Sequence, residues 1–124
     1  MEQLTKKEEE VMQILWDMEK GFVRDIIAKL PEPKPPHSTI SSVVRILEGK
    51  GFVKHKAYGK SYEYHPAISK NEYRKFYLQS VVQDYFADSY KEVLSFFAKE
   101  ENIDRKDLKE IMDLIDKKAD RDGK

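Results

Sequence analysis

The sequence predicts a mainly helical protein with one small β-hairpin near its centre. Apolar residues recur at intervals of three and four over several segments, as on one face of an amphipathic helix. Two short segments of strand-forming residues, 52–56 and 61–65, flank a turn that contains Gly59. Three helical segments precede this hairpin. Three helices followed by a hairpin is the order of elements in a winged helix-turn-helix domain.

The first two helices are predicted on either side of Gly21. Thr5 and Glu8 have the spacing of a capping box, which predicts that the first helix begins there. Its apolar face is predicted to carry Val11, Ile14, Leu15 and Met18. Gly21 is predicted to end this helix, Phe22-Val23 to be extended, and residues 24–30 to form the second helix.

A proline-rich connector leads into the third helix. Residues 31–36 include four prolines, which fix φ and remove amide donors, so this segment cannot be helical. Ser38 is predicted to cap the third helix. The apolar positions of this helix share one face: Ile40, Val43, Val44 and Leu47. Gly49 and Gly51 are predicted to end the helix, because glycine tolerates positive φ.

The opposite face of the third helix is polar, and we interpret it as a surface that reads DNA. Small polar side chains and one guanidinium suit the major groove. The predicted base-contacting residues are Thr39, Ser41, Ser42 and Arg45. Predicted phosphate contacts surround them on the helix and on the hairpin, which would act as the wing: Ser38, Lys50, Lys54, His55, Lys56, Tyr58 and Lys60.

The net charge of the chain is zero, but the charges are unevenly distributed. Residues 34–75 include nine basic residues and three acidic ones, whereas both ends of the chain are acidic. The local field at a contact surface matters more for DNA affinity than the overall sum. The distribution therefore favours a DNA partner, and a solvated charged face is the alternative interpretation.

Composition argues against several other classes of protein. The 124 residues include no cysteine, so disulfides and thiolate sites are excluded. His37, His55 and His65 lack the usual spacing of metal ligands, although His55 and His65 could face each other across the hairpin, and we expect no metal or other cofactor. Catalytic constellations are missing as well, so no enzyme is expected. Without a signal peptide or a long apolar run, the expected location is the cytoplasm rather than a membrane.

Pro66 marks the predicted boundary between a winged-helix domain, residues 1–66, and a helical domain, residues 67–124. The second domain is rich in aromatic residues but too short to build a core alone, so we expect it to pair with a second copy of the chain. The predicted dimerisation residues are Tyr73, Phe76, Tyr77, Val81, Tyr85, Phe86, Val93, Leu94, Phe97, Leu108, Ile111, Met112 and Ile115. Packing of these helices against their own winged domain is the alternative.

Capping signals divide this second domain into three helices. Ser69 and Glu72 form a second capping box. Asp88 or Ser89 is predicted to begin the next helix, and Asp104 the last one.

The chain also resembles the family of penicillinase and methicillin-resistance repressors (BlaI/MecI) and the related copper-responsive repressors. The resemblance is carried by LTKKEEEVMQILWDMEKGFVRDIIAKL, by STISSVVRILEGKGFVKHKAYGKSYEYHP, and by SYKEVLSFFAKEENIDRKDLKEIMDLID. It implies a dimeric repressor that binds a dyad operator through its winged domain and dimerises through C-terminal helices. It also implies a possible cleavage region at Ser95 and Phe96.

Three positions depart from the family's pattern. Two basic residues often precede the leucine of the family's recognition helix, and here Arg45 is kept while Ile46 takes the second place. Serine at position 95 replaces the asparagine of the family's cleaved Asn-Phe bond. The paired cysteines of the copper-responsive branch are missing. A sensor protease and a small-molecule inducer both stay open as partners.

The predicted function is sequence-specific transcriptional repression by a homodimer bound to double-stranded DNA. The alternative is a winged-helix module that binds a protein partner and has no specific affinity for DNA.

Overall fold

The structure, a computed structural model, describes residues 1–100, 104–111 and 113–114, and it confirms the predicted fold class. Helices and strands follow in the order α1 (Lys6–Met18), α2 (Val23–Lys29), α3 (His37–Gly49), β1 (Val53–Tyr58), β2 (Ser61–Pro66), α4 (Lys70–Tyr85) and α5 (Tyr90–Glu100). Residues 105–111 and 113–114 are also helical. The chain forms two compact units, Met1–Tyr77 and Leu78–Lys124.

Helix α1 begins at the predicted capping box. The Thr5 hydroxyl accepts a hydrogen bond from the Glu8 amide at 3.2 Å, and the Glu8 carboxylate accepts one from the Thr5 amide at 2.9 Å. The buried apolar side chains are Val11, Met12 and Leu15, whereas Ile14 and Met18 are only partly buried. The buried face is therefore rotated toward Met12, which the sequence did not single out.

Helix α1 ends at Met18, three residues before Gly21, so the prediction that Gly21 stops it is wrong. Glu19 adopts a positive φ of 71° and its amide donates to Leu15 O, which closes the helix. Gly21 instead pairs with Tyr64 of β2 through two backbone hydrogen bonds of 2.9 and 2.8 Å. This bridge attaches the hairpin to the segment between α1 and α2.

Helix α2 starts at Val23, one residue earlier than predicted, because the Asp25 carboxylate accepts the Phe22 amide at 2.9 Å and completes the first turn. Val23, Ile26 and Leu30 are buried, and Ile27 is partly buried.

Helix α3 starts at His37, with Pro36 as its N-cap and no side-chain capping bond. The predicted capping role of Ser38 is therefore wrong. The backbone is extended at Pro36 and helical from His37, so Ser38 lies inside the first turn of the helix. Ile40, Val44 and Leu47 are fully buried, as predicted, and Val43 is partly buried. Gly51 has a positive φ of 86° just beyond the helix, as predicted, whereas Gly49 is still part of the helix and does not end it.

The hairpin has a two-residue turn rather than the predicted turn of residues 57–60. β1 and β2 are antiparallel, and Tyr58 pairs with Ser61, so that Gly59 and Lys60 alone connect the strands. Gly59 has a φ of 61°, which a residue without Cβ adopts without strain. Ala57 and Tyr58 therefore belong to the wing strand, which is longer than the sequence indicates.

The core of the first unit extends into α4. Tyr73 is buried, and its hydroxyl accepts a hydrogen bond of 2.9 Å from the Leu4 amide. Its ring contacts Phe52 at 5.7 Å and Trp16 at 6.0 Å between centroids. The start of α4 thus packs against the winged helices, and the compact unit that contains them spans Met1–Tyr77.

Two further capping predictions are confirmed. Ser69 and Glu72 form the reciprocal bonds of a capping box, with distances of 2.9 and 3.0 Å. Of Asp88 and Ser89, it is Ser89 whose hydroxyl accepts a helix amide, that of Glu92, at 3.2 Å. Asp88 has a positive φ of 61° in the break between α4 and α5.

The second unit has a small apolar cluster. Val82 is buried, and Phe86 contacts Phe96, which contacts Phe97, at centroid distances of 5.7 and 5.8 Å. Asp104 accepts the Lys106 amide at 3.1 Å, in agreement with its predicted capping role.

Among the residues that the structure describes, no helix has the length and apolar character needed to cross a bilayer.

The Tyr73 hydroxyl provides a test of how the winged unit is closed. We expect Tyr73→Phe to lower the free energy of unfolding by about 1–3 kcal/mol, because the buried Leu4 amide loses the hydroxyl that accepts its hydrogen bond. Urea unfolding followed by circular dichroism measures this change. The matched control is Tyr77→Phe on the exposed side of the same helix, which should change stability by less than about 0.5 kcal/mol. Equal effects of the two variants would contradict the assignment.

Candidate nucleic-acid interface

The face of α3 opposite the core is exposed and polar. Thr39, Ser42 and Arg45 are exposed and Ser41 is half-buried. Because Ile40, Val44 and Leu47 fix the opposite face in the core, α3 cannot rotate to cover these polar groups. The four predicted base-contacting residues therefore lie on the accessible side of one rigid helix.

Ile46 is also accessible, with 51% of its surface exposed, beside Arg45. The apolar residue that departs from the family's pattern thus lies on the surface, where it can contact a partner such as a thymine methyl group.

A cleft of about 550 Å³ lies between the start of α2, α3 and the hairpin. It brings Ser41 and Arg45 of α3 together with Lys60 of the turn, three residues that the sequence assigned to DNA contacts. It also includes Arg24 and His37, which the sequence did not assign. The signal for Arg24 was available in the order of elements, since the start of the second helix adjoins the third in a helix-turn-helix.

The wing presents cations on one face of β1. Lys54, Lys56 and Tyr58 alternate along the strand and are exposed. The Lys56 ammonium lies 5.3 Å from the centroid of the Tyr58 ring. The Tyr58 ring packs edge-on with the Phe22 ring, with centroids 5.9 Å apart, and this contact links the wing to the start of α2.

His55 lies on the other face of the wing and connects it to α3. Its Nδ1 is 2.7 Å from the Glu48 carboxylate, and its ring stacks on Tyr62 with centroids 4.1 Å apart. The strand register pairs His55 with Tyr64, and His65 with Lys54. The two histidines therefore point to opposite faces of the hairpin, and the prediction that they could face each other is wrong.

Lys50 forms an ion-pair cluster that joins the end of α3 to α1. Its ammonium lies 3.0 Å from both carboxylate oxygens of Glu8 and 3.4 Å from Glu2. The hydrogen bond to Glu8 raises the pKa of Lys50. The structure thus gives this predicted phosphate contact a structural role that no local sequence pattern indicates, since Lys50 and Glu8 are 42 residues apart.

Glu8 is the buried member of this cluster, with 5% of its surface exposed. Burial works against its charged form, but hydrogen bonds from Thr5 and Lys50 and the Lys50 charge outweigh burial, so the pKa of Glu8 is lowered. A carboxylate stabilised in this way contributes to folding only while it is ionised.

The predicted dimerisation residues fall into three groups. Tyr73 and Phe76 pack against the core of the first unit. In the rest of the set, Tyr77, Tyr85 and Phe97 are exposed, and the half-buried members are Val81, Phe86, Val93, Leu94, Leu108 and Ile111. Met112 and Ile115 lie outside the described residues.

The possible cleavage region lies within α5, where Ser95 is half-buried and Phe96 exposed. Over the part of the chain that is described, no group of three or more histidine, cysteine, aspartate or glutamate side chains is placed to hold a metal ion.

A winged helix-turn-helix with an accessible polar helix and a basic cleft is typical of transcription regulators. The family model described as "Penicillinase repressor" matches residues 4–117. The chain therefore belongs to the penicillinase repressor family, a family of transcriptional repressors rather than enzymes, and the resemblance read from its motifs is confirmed.

Individual relatives are distant but are matched over most of their length. "Methicillin resistance regulatory protein MecI" of Staphylococcus aureus strain N315 is 20% identical over 117 residues, which cover 94% of this chain and 95% of the relative. MecI of Mammaliicoccus sciuri is 19% identical over the same shares. The "Uncharacterized 16.5 kDa protein in ptsI 3'region" of Latilactobacillus sakei is 25% identical over 118 residues, 94% of this chain and 81% of the relative.

The lowered pKa of Glu8 predicts an acid-sensitive contribution to stability. Above its ordinary pKa of 4.5 the ionised Glu8 stabilises the fold, and this contribution is lost as the pH falls through the lower pKa of the folded state. Glu8→Gln should therefore be less stable than the wild type near neutral pH, and the difference should shrink below pH 4.5.

Urea unfolding midpoints between pH 7 and pH 3 measure this difference. Glu9→Gln, which removes the neighbouring carboxylate of α1, is the matched control. A gap between Glu8→Gln and the wild type that stays constant with pH would show that the ionised carboxylate is not the stabilising group.

Proposed function

We propose that this protein represses transcription as a homodimer that binds a dyad operator, with α3 in the major groove and the hairpin as a wing on the backbone. The observation that carries the proposal is the accessible polar face of α3, which is fixed outward by three fully buried side chains. The membership of a repressor family supports it independently. The relatives named MecI are methicillin resistance regulatory proteins.

Base reading is assigned to Thr39, Ser41, Ser42 and Arg45. Arg45 is the strongest candidate for a specific contact, because a guanidinium donates two parallel hydrogen bonds to the O6 and N7 atoms of guanine. The serine and threonine hydroxyls can donate to or accept from base edges, and their small size allows α3 to enter the groove closely.

Phosphate contacts are assigned to Ser38 at the start of α3 and to Lys54, Lys56, Tyr58 and Lys60 on the wing. These residues are exposed, so they can reach the backbone without rearrangement of the core. Lys50 and His55 support the interface differently, since their charged or polar groups already bind Glu8 and Glu48. We assign to them the positioning of α3 and of the wing.

Dimerisation is assigned to the second unit. Tyr85 is 79% exposed, and Phe96 and Phe97 are exposed at 44% and 39%. Large aromatic side chains left in water on a unit with few buried residues favour a surface that a second copy covers. Two winged units held by one dimer would occupy half-sites spaced by about one turn of DNA or a multiple of it (roughly 34 Å per turn).

Release of the operator would follow from loss of this pairing. Two linked half-site contacts bind far more tightly than two independent ones, because the second contact is intramolecular. A sensor protease acting at Ser95-Phe96 or a small molecule bound among the aromatic helices would release repression by the same physical route. The helical conformation of residues 95 and 96 means that a protease must first unwind this part of α5.

Arg45 and Lys56 should separate base reading from backbone binding. We expect Arg45→Ala to lower the preference for operator over mixed-sequence DNA by roughly tenfold. We expect Lys56→Ala to weaken binding to both duplexes about equally and to reduce the slope of log K against log salt by about 1. Fluorescence anisotropy, with operator fragments selected from the source genome, measures both quantities.

Lys6→Ala on α1 is the control for the loss of one exposed cation, and it should leave the affinity for both duplexes nearly unchanged. A wild-type protein that forms no DNA complex even in low salt would overturn the proposal in favour of a protein-binding module.

Tyr85 provides the test of dimerisation. We expect Tyr85→Glu to raise the dimer dissociation constant by about tenfold or more, because one large apolar side chain is exchanged for a charge. Sedimentation equilibrium measures this constant. The control is Ile46→Glu, the same change at an exposed apolar residue of the first unit, which should not alter the oligomeric state. A wild-type protein that is monomeric at high concentration would contradict the assignment.

A further inference from the structure

The basic cleft between α2, α3 and the hairpin contains one cation, Arg24, that the proposed base and wing contacts do not use. Arg24 lies on the α2 side, Lys60 on the hairpin side, and Arg45 on α3. Among the described residues, no acidic side chain lines the cleft. Three cations from three different elements thus surround a space large enough for a phosphate group and its neighbouring sugar.

Arg24 is held in place without losing its hydrogen-bonding capacity. Its guanidinium lies 4.7 Å from the centroid of the Phe22 ring, a cation–π contact that leaves the N–H groups at the edge of the plane available. Its Nε is 4.0 Å from one oxygen of Asp25, a long contact, and the other oxygen of Asp25 accepts the Phe22 amide. The side chain is 71% exposed.

An aromatic contact connects the two sides of this cleft. Phe22 packs against Tyr58 at 5.9 Å in an edge-on arrangement, and Lys56 lies over Tyr58. Arg24, Phe22, Tyr58 and Lys56 therefore form a continuous series from α2 to the wing. This series connects the Arg24 side chain to the hairpin through side-chain contacts.

We propose that this cleft binds a backbone phosphate of DNA, with Arg24 donating hydrogen bonds from the α2 side and Lys60 supplying charge from the hairpin side. The assignment rests on the proposed function, since the same cleft includes Ser41 and Arg45 of the base-reading face. A phosphate held there sets the depth and register at which α3 enters the groove, because backbone contacts position a protein on the duplex. Free inorganic phosphate has the same chemistry as a backbone phosphate, so the experiment must distinguish the two as ligands of the cleft.

The experiment measures affinity for a mixed-sequence duplex of about three helical turns (roughly 30 base pairs) as a function of salt. We expect Arg24→Ala to weaken binding by about three- to tenfold and to lower the slope of log K against log salt by about 0.9, the contribution of one phosphate. The matched control is Lys29→Ala, which removes one cation from the other end of α2, beside Ile14 and Met18 and away from the cleft.

Conservative variants separate a phosphate contact from a general effect of charge or folding. Arg24→Lys should restore the salt slope but only part of the affinity, because a lysine keeps the charge and loses the planar stacking on Phe22. Phe22→Leu should weaken binding more in the wild type than in the Arg24→Ala background, since the part of its effect that acts through Arg24 is already lost there. Thermal unfolding of each variant confirms that the winged unit is intact.

The outcomes distinguish this inference from the proposed function. If the wild type binds DNA and Arg24→Ala keeps the full salt slope, or if Lys29→Ala lowers it equally, the cleft assignment is overturned while the repressor function stands. If the wild type binds no duplex, the proposed function itself fails.

Inorganic phosphate provides the remaining arm. At equal ionic strength, phosphate should weaken DNA binding more than chloride does if free phosphate and DNA compete for the cleft, and Arg24→Ala should lose this difference together with part of the salt slope. An excess effect of phosphate that disappears in Arg24→Ala, together with an unchanged salt slope, would assign the cleft to a free anion instead.

Discussion

The burial of one face of α3 is the constraint on which the rest of the molecule depends. Ile40, Val44 and Leu47 are fully buried in the core. Since rotation of α3 would expose these side chains and bury hydroxyls and a guanidinium, the helix has one stable orientation. The polar face is therefore presented to a ligand without a prior conformational change.

Polar contacts at the end of α3 complete this arrangement. Lys50 binds Glu8 of α1, and Glu48 binds His55 of the wing. The wing is further attached by the backbone bridge between Gly21 and Tyr64. Helix α3 and the hairpin are thus fixed to each other and to the core by several independent contacts, which lowers the entropic cost of binding a rigid partner.

The two units differ in how they treat the apolar faces of their helices. The first unit buries a contiguous apolar core, and Tyr73 at the start of α4 is part of that core. The second unit leaves aromatic side chains in water. Helical periodicity predicts that Tyr73 and Tyr77 share a face with Tyr85, but periodicity does not say whether a face packs against its own chain or against another one.

By itself the sequence determined the features that depend on neighbours three or four residues apart. Both capping boxes, Thr5 with Glu8 and Ser69 with Glu72, were predictable because their bonds join residues within one helical turn. The apolar face of α3 and the family motifs were equally local, and together they predicted the fold class and the repressor family.

Only the tertiary structure decided which distant groups meet. Nothing local pairs Lys50 with Glu8, brings Arg24 and Lys60 into one cleft, or makes Pro36 rather than Ser38 the N-cap of α3. These outcomes depend on how helices and strands pack, and packing is set by the shape and burial of the whole core rather than by spacing along one segment.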